Sequence, residues 1–163
     1  VNAVGAFKQN PGCPEFSLNS LDPDRLEKLC GGECYNPSDE RKLISRIEII
    51  RILPQTSANE DVGQLIQDPW KTFICDPDET GCTFKFQDDE FISLDREAVY
   101  YARAIQESSD TINANNLRCE YDENGICIKI NPCYGDYKTS KTDDCLAPSE
   151  ERAWSSPIFI NKL

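Results

Sequence analysis

Leu43-Ile44-Ser45-Arg46-Ile47-Glu48-Ile49-Ile50-Arg51-Ile52-Leu53, closed by Pro54, is the strongest strand in the chain. β-Branched isoleucine suits a pleated, packed surface, and proline stops the ladder by removing a donor. Alternation runs Ile47-Glu48-Ile49 and restarts as Ile50-Arg51-Ile52, so its phase slips at the 49/50 junction. Either a β-bulge or burial of the strand on both faces accounts for that.

Outward from it, Ala98 to Gln106 is the second strong strand. Val99, Tyr101 and Ile105 share a face with Arg103, and Ala98, Tyr100, Ala102 and Ala104 share the other, a pattern for burial on both sides. Trp70 to Cys75 and Cys82 to Phe86 flank a turn-like Asp76-Pro77-Asp78-Glu79-Thr80-Gly81 and predict a hairpin. Arg118 to Tyr121 and Ile126 to Ile130 flank Asn124-Gly125, the strongest short hairpin signal. Ala153 to Ile160 is a last strand interrupted by Pro157, which suits an edge. Near the start, Val4 to Phe7 and Glu15 to Leu18 read as extended. Asp22 caps a helix with Pro23 and Asp24 in its first turn, and Val62 to Ile66 holds at most one helical turn. The tail from Cys133 to Pro148 reads as loop. The fold class is therefore mainly β: an antiparallel, Ig-like β-sandwich with one or two short helices and long disulfide-stapled loops.

The chain has 163 residues, a length that fits one domain over 1–163 and allows burial of roughly 70% of the surface of the unfolded chain. Its net charge is −12, which repels phosphate backbones and excludes the nucleic-acid binders. No stretch approaches the roughly 20 apolar residues of a membrane span. Nine cysteines accompany no histidine and no methionine. Cysteine at that density belongs to oxidising compartments, so an extracytoplasmic place (periplasm, cell surface or secretion) is expected. Without histidine the chain lacks the usual general base near neutral pH, the commonest metal ligand and the central member of hydrolytic triads. The start at Val1, together with the missing methionines, reads as a fragment of a longer precursor.

Cys75 and Cys82 bracket the first predicted hairpin turn and are the first pair expected to bond. Cys119 and Cys127 bracket the Asn-Gly hairpin, and Cys133 with Cys145 would close the tail loop, but four cysteines permit three pairings and the connectivity stays open. Two of Cys13, Cys30 and Cys34 form a further bridge, and the third is either a buried thiol or bonded to a part of the protein outside this chain. Cys30-Gly31-Gly32-Glu33-Cys34 resembles half of a zinc knuckle, yet no second pair and no histidine complete it. Asp76 to Gly81 begins like a calcium loop, but Gln87 stands where the bidentate glutamate is required. Asp88-Asp89-Glu90 and Asp143-Asp144 read as loop charge. Trp70, Trp154, Tyr134 and Tyr137 read as core aromatics, or as a carbohydrate platform in the sharper alternative. The sequence offers no catalytic residue, no metal site and no cofactor site.

Four segments carry a resemblance: Asp68-Pro69-Trp70, Tyr100 to Glu107, Asn131 to Tyr137 (Asn-Pro-Cys-Tyr-Gly-Asp-Tyr) and Glu151 to Ile158 (Glu-Arg-Ala-Trp-Ser-Ser-Pro-Ile). With the strand Ile44 to Leu53, they resemble the C-terminal region of the bacterial domain-of-unknown-function family 3604, over most of residues 4 to 160. Members look like exported proteins whose upstream part is similar to metal-dependent phosphoesterases of the polymerase-and-histidinol-phosphatase type. The resemblance implies a non-catalytic accessory segment whose partner is the upstream domain of the same precursor. The alternative is an autonomous extracellular binding module for a glycan or protein ligand.

Overall fold

A computed structural model describes residues 1–30, 34–112, 114, 118–132 and 145–162, with the side chains at 29, 30 and 112 set aside. In chain order the elements are β1 (Asn2–Ala3), β2 (Phe7–Gln9), α1 (Glu15–Ser20), α2 (Pro23–Cys30), β3 (Pro37–Arg41), β4 (Ile44–Ile52), α3 (Val62–Leu65), β5 (Ile66–Ile74), β6 (Cys82–Thr83), α4 (Phe91–Leu94), β7 (Ala98–Ile112), β8 (Glu120–Tyr121), β9 (Cys127–Lys129), β10 (Leu146–Trp154) and β11 (Ile158–Ile160). The chain is mainly β and every strand pair is antiparallel. One five-stranded sheet runs β10-β7-β4-β5, with β11 also on β7; β1–β6, β2–β3 and β8–β9 are two-stranded ribbons.

β4 lies at the middle of this sheet and is buried on both faces. Against β7 it pairs residue for residue from Arg46–Ile105 to Ile52–Val99, so no bulge interrupts it at Ile49 and Ile50. The irregularity lies on the neighbouring strand: Ile49 faces Lys71 but Arg51 faces Gln67, which places the additional residues on β5 around the cis Asp68–Pro69 bond. Residues opposite each other share a face. Ile47, Ile49 and Arg51 therefore stand with Ala104, Ala102 and Tyr100, while Glu48 and Ile50 stand with Arg103 and Tyr101 on the other side.

The first face carries the core, in which Ile47, Ile49, Leu53, Cys75, Cys82 and Tyr100 are buried. Over it lie Ala3 and Phe84 from the β1–β6 ribbon and its flank, with Phe91 and Leu94 of α4. A sheet covered by small ribbons in this way is consistent with a sandwich. The second face keeps Ile50 and Ile105 fully buried between charges. There Arg46 binds Glu150 with both terminal nitrogens at 2.8 Å and donates from Nε to Glu48. Arg103 bridges Glu48 to Asp68. These ion pairs connect β10, β4, β7 and β5 in one ladder.

Several local expectations are corrected. Glu15 to Leu18 is helical, not extended: the Pro14 carbonyl accepts from the Ser17 and Leu18 amides, and Ser20 Oγ donates to the Phe16 carbonyl. Four short helices are present among the described residues, more than the one or two expected, because three of them span only four to six residues. Residues 70–75 and 82–86 do not form a hairpin, since β5 pairs with β4 and β6 pairs with β1. Leu146 to Pro148, read as tail loop, belongs to β10, where Pro148 opposite Asp110 occupies an edge strand that can spare its donor. β10 and β11 lie on the side of β7 away from β4 and form one edge interrupted at Pro157. Ser155 spans part of the gap, its amide donating to the Ala102 carbonyl and its Oγ accepting from the Ala102 amide.

Disulfides tie the ribbons down. Cys75–Cys82 spans 5.8 Å between Cα atoms, Cys119–Cys127 5.4 Å and Cys13–Cys34 4.6 Å. Cys145 is also disulfide-bonded. The thiol of Cys30 and all of Cys133 lie outside the described residues. Cys75–Cys82 joins the end of β5 to β6 and so fixes the β1–β6 ribbon on the core. Gly81 has φ 107°, and a Cβ there would meet the Ala3 carbonyl oxygen at 2.4 Å, so glycine is required for that approach. Replacing Cys75 and Cys82 together by serine is expected to lower stability by roughly 2–3 kcal/mol, measured by urea unfolding. Faster amide exchange at Ala3 should accompany it.

Candidate functional site

Arg51 is the organising group of the first face. It sits in an isoleucine-rich strand, 3% exposed, and a buried guanidinium there requires counter-ions. Asp88 and Glu90 supply them, accepting from Nη1 and Nη2 at 2.8 Å each, while Gln67 accepts from Nε at 2.6 Å. The guanidinium also stacks on Trp70, 4.5 Å from the ring centroid. The Tyr100 hydroxyl donates to Asp88 at 2.5 Å. Trp70 in turn meets Phe86 and Tyr100 with centroids 6.0 and 5.8 Å apart.

Above this network opens a cavity of about 250 Å³ lined by Phe86, Asp88, Phe91, Tyr100, Ile158 and Ile160. A larger cleft of about 730 Å³ lies between residues 1–6 and β10, floored by Ala102, Ala104 and Ala153. Because Trp154 pairs with Arg103, its ring leaves on the opposite face from Trp70. The two tryptophans do not form one platform, and Tyr134 and Tyr137 lie outside the described residues.

The remaining candidates resolve locally. Asp78 turns its carboxylate onto the Thr80 amide at 2.7 Å, so that oxygen serves the turn of the calcium-like loop. Among the described residues no three Cys, Asp or Glu side chains come together as a metal site. Asp88 and Glu90, read as loop charge, are the counter-ions of Arg51. The signal available in the sequence was the arginine itself, placed amid isoleucines. Asp143 and Asp144 lie outside the described residues.

Burial pushes the Asp88 carboxyl up, but the Tyr100 hydroxyl and Arg51 more than offset this and hold it below its ordinary value. Glu48 behaves alike: burial raises it, and Arg46 with Arg103 bring it below the usual range. The Arg96 guanidinium, helped by the Thr56 amide, holds the partly buried Glu60 down to about 2. Burial, with Asp88 beside it, pushes the Tyr100 phenol up. The depressed carboxyls stabilise the fold above their unfolded values near about pH 4, and that contribution is lost as pH falls through the folded values. The raised phenol stabilises below about pH 10 and loses its contribution as pH rises through its folded value. Without a histidine step between them, a urea-midpoint series should be nearly level from about pH 5 to 8 and fall at both ends. A midpoint maximum confined near pH 6 to 7 would contradict these assignments.

Compared with protein families, curated proteins and solved structures, the chain matches none. Fold and site define a disulfide-bonded, mainly β chain in which the buried charges among the described residues are engaged in ion pairs. Three described bridges fit an oxidising location, and no helix among the described residues is long and apolar enough to cross a membrane.

Proposed function

We propose that this chain is a non-catalytic, extracytoplasmic accessory β-domain that docks on the upstream metallohydrolase-like domain of its own precursor. The observation that carries this reading is the exposed apolar edge at the end of the sheet. Trp154, Ile158 and Phe159 are each more than half exposed, and Ile160 joins them on the surface. Trp154 and Phe159 stand on one side of this edge and Ile158 and Ile160 on the other, and exposed apolar surface of that kind is a mark of interaction sites. The same residues lie in or beside Arg152 to Ile158, the most specific part of the resemblance to the family 3604 C-terminal region. Support also comes from Arg51, Asp88, Glu90 and Tyr100, whose polar groups are engaged with one another.

The test is separate expression of the upstream polypeptide and this chain, followed by mixing and size-exclusion chromatography. A stable complex weakened by Phe159→Asp is the expected result, and two independent peaks at every concentration would sink the docking claim. The exposed Trp154 favours one second reading, a glycan-binding module with Trp154 as the stacking ring. Tryptophan-fluorescence titration with polysaccharides, compared with Trp154→Ala, separates the two.

A further inference from the structure

β11 has β7 on one side and, among the described residues, no strand on the other. Natural edges are blunted by lysine, proline, bulges or a covering element. Here Pro157 and Lys162 stand only at the flanks, and Ile158-Phe159-Ile160 between them is exposed on both faces, Phe159 to 71%. Ile158 and Ile160, at alternate positions of this strand, also form one wall of the 250 Å³ cavity. A segment laid along β11 would present its own side chains with the same two-residue period, on the cavity side and away from it. The volume lies below the about 300 Å³ at which small-molecule pockets begin, which suits a single large apolar side chain. Asp88 lines the cavity, Asp89 and Glu90 follow it, and the whole chain carries −12. A second copy would bring the same negative charge to this edge.

We propose that β11 accepts an extended, cationic polypeptide segment by strand addition, with one aliphatic or aromatic side chain in the cavity and a lysine or arginine beside the exposed Asp89 and Glu90. Backbone hydrogen bonds supply affinity in such complexes and the side-chain pocket supplies selectivity. The proposal rests on the docking reading, since it names the chemistry of the partner at that same edge.

The probe is a labelled nonapeptide of alternating threonine and lysine with a central leucine. One comparison peptide has glutamate for lysine, and another keeps every lysine but has proline on both sides of the leucine. By fluorescence anisotropy the first should bind, with the other two about tenfold weaker or worse. Ile158→Trp, which fills the cavity, should weaken the first peptide by about tenfold at an unchanged urea midpoint. Bound peptide should slow amide exchange within Ile158 to Ile160. Equal binding of the proline peptide would reduce the effect to charge attraction and overturn the proposal, as would unchanged exchange at β11. Association of the upstream polypeptide without binding of any peptide would overturn strand addition and leave docking standing. Leucine-peptide binding that protects β11, without association of the upstream polypeptide, would support strand addition and end the docking reading.

Discussion

Arg51→Ala is expected to lower the unfolding free energy by about 3–5 kcal/mol, because it removes the cation from a carboxylate that stays buried. Arg51 is 3% exposed and the Asp88 side chain 8%, so both charges are largely withdrawn from bulk water and the lost partner is only partly replaced by solvent. Trp70 also loses the guanidinium packed on its face. Glu90, 64% exposed, returns to solvent at little cost, so the loss resides mainly in the Asp88–Tyr100 half of the network. The triple variant Arg51→Met, Asp88→Leu, Tyr100→Phe should recover most of the stability, since it removes the charges and the hydroxyl together and replaces them by apolar groups. Urea unfolding at pH 7 with an unchanged slope measures both. An Arg51→Ala loss below about 1 kcal/mol would show that the pair behaves like a solvated surface bridge.

Ile49→Ala and Ile50→Ala are each expected to cost about 2–5 kcal/mol, although they point to opposite faces of β4. A strand at the rim of a sheet, or one with a solvated face, would show the loss for one of the two only. Both side chains are 1% exposed or less. Ile74→Ala on β5 is the control: it is 72% exposed and should move stability by no more than about 0.5 kcal/mol. Equal losses at residues 49 and 50, with none at 74, would identify β4 as the central strand in solution.

Much of the fold is legible along the chain because it depends on local pattern. The isoleucines of β4, the alternation of Ala98 to Gln106 and the Asn124-Gly125 turn mark their strands by themselves, and Gly125 takes the positive φ such a turn asks for. Elements whose signal is short are less legible. Glu15 to Leu18 alternates like a strand over four residues, and what makes it a helix is a carbonyl at Pro14 together with a hydroxyl at Ser20. The Cys75 to Cys82 loop has the composition of a hairpin, yet hydrogen bonding sends its two arms to different partners, β4 and β1. The slip at Ile49 and Ile50 is visible in the sequence, and burial on both faces, one of the two readings it allows, is its origin. The extra residues on β5 around Asp68–Pro69 are a separate irregularity that pattern along β4 cannot reveal.

The candidate site divides in the same way. Sequence alone determined a mainly β, cystine-rich, acidic chain without histidine, because composition and two-residue periodicity need no knowledge of neighbours. Only the tertiary structure decided that Asp88 and Glu90 serve Arg51, that Tyr100 closes the same network, and that Trp70 and Trp154 point to opposite sides. It also placed Ile158 and Ile160 on an open edge beside a cavity. The physical reason is distance along the chain: 37 residues separate Arg51 from Asp88, and such contacts follow from which strands pair and in what register.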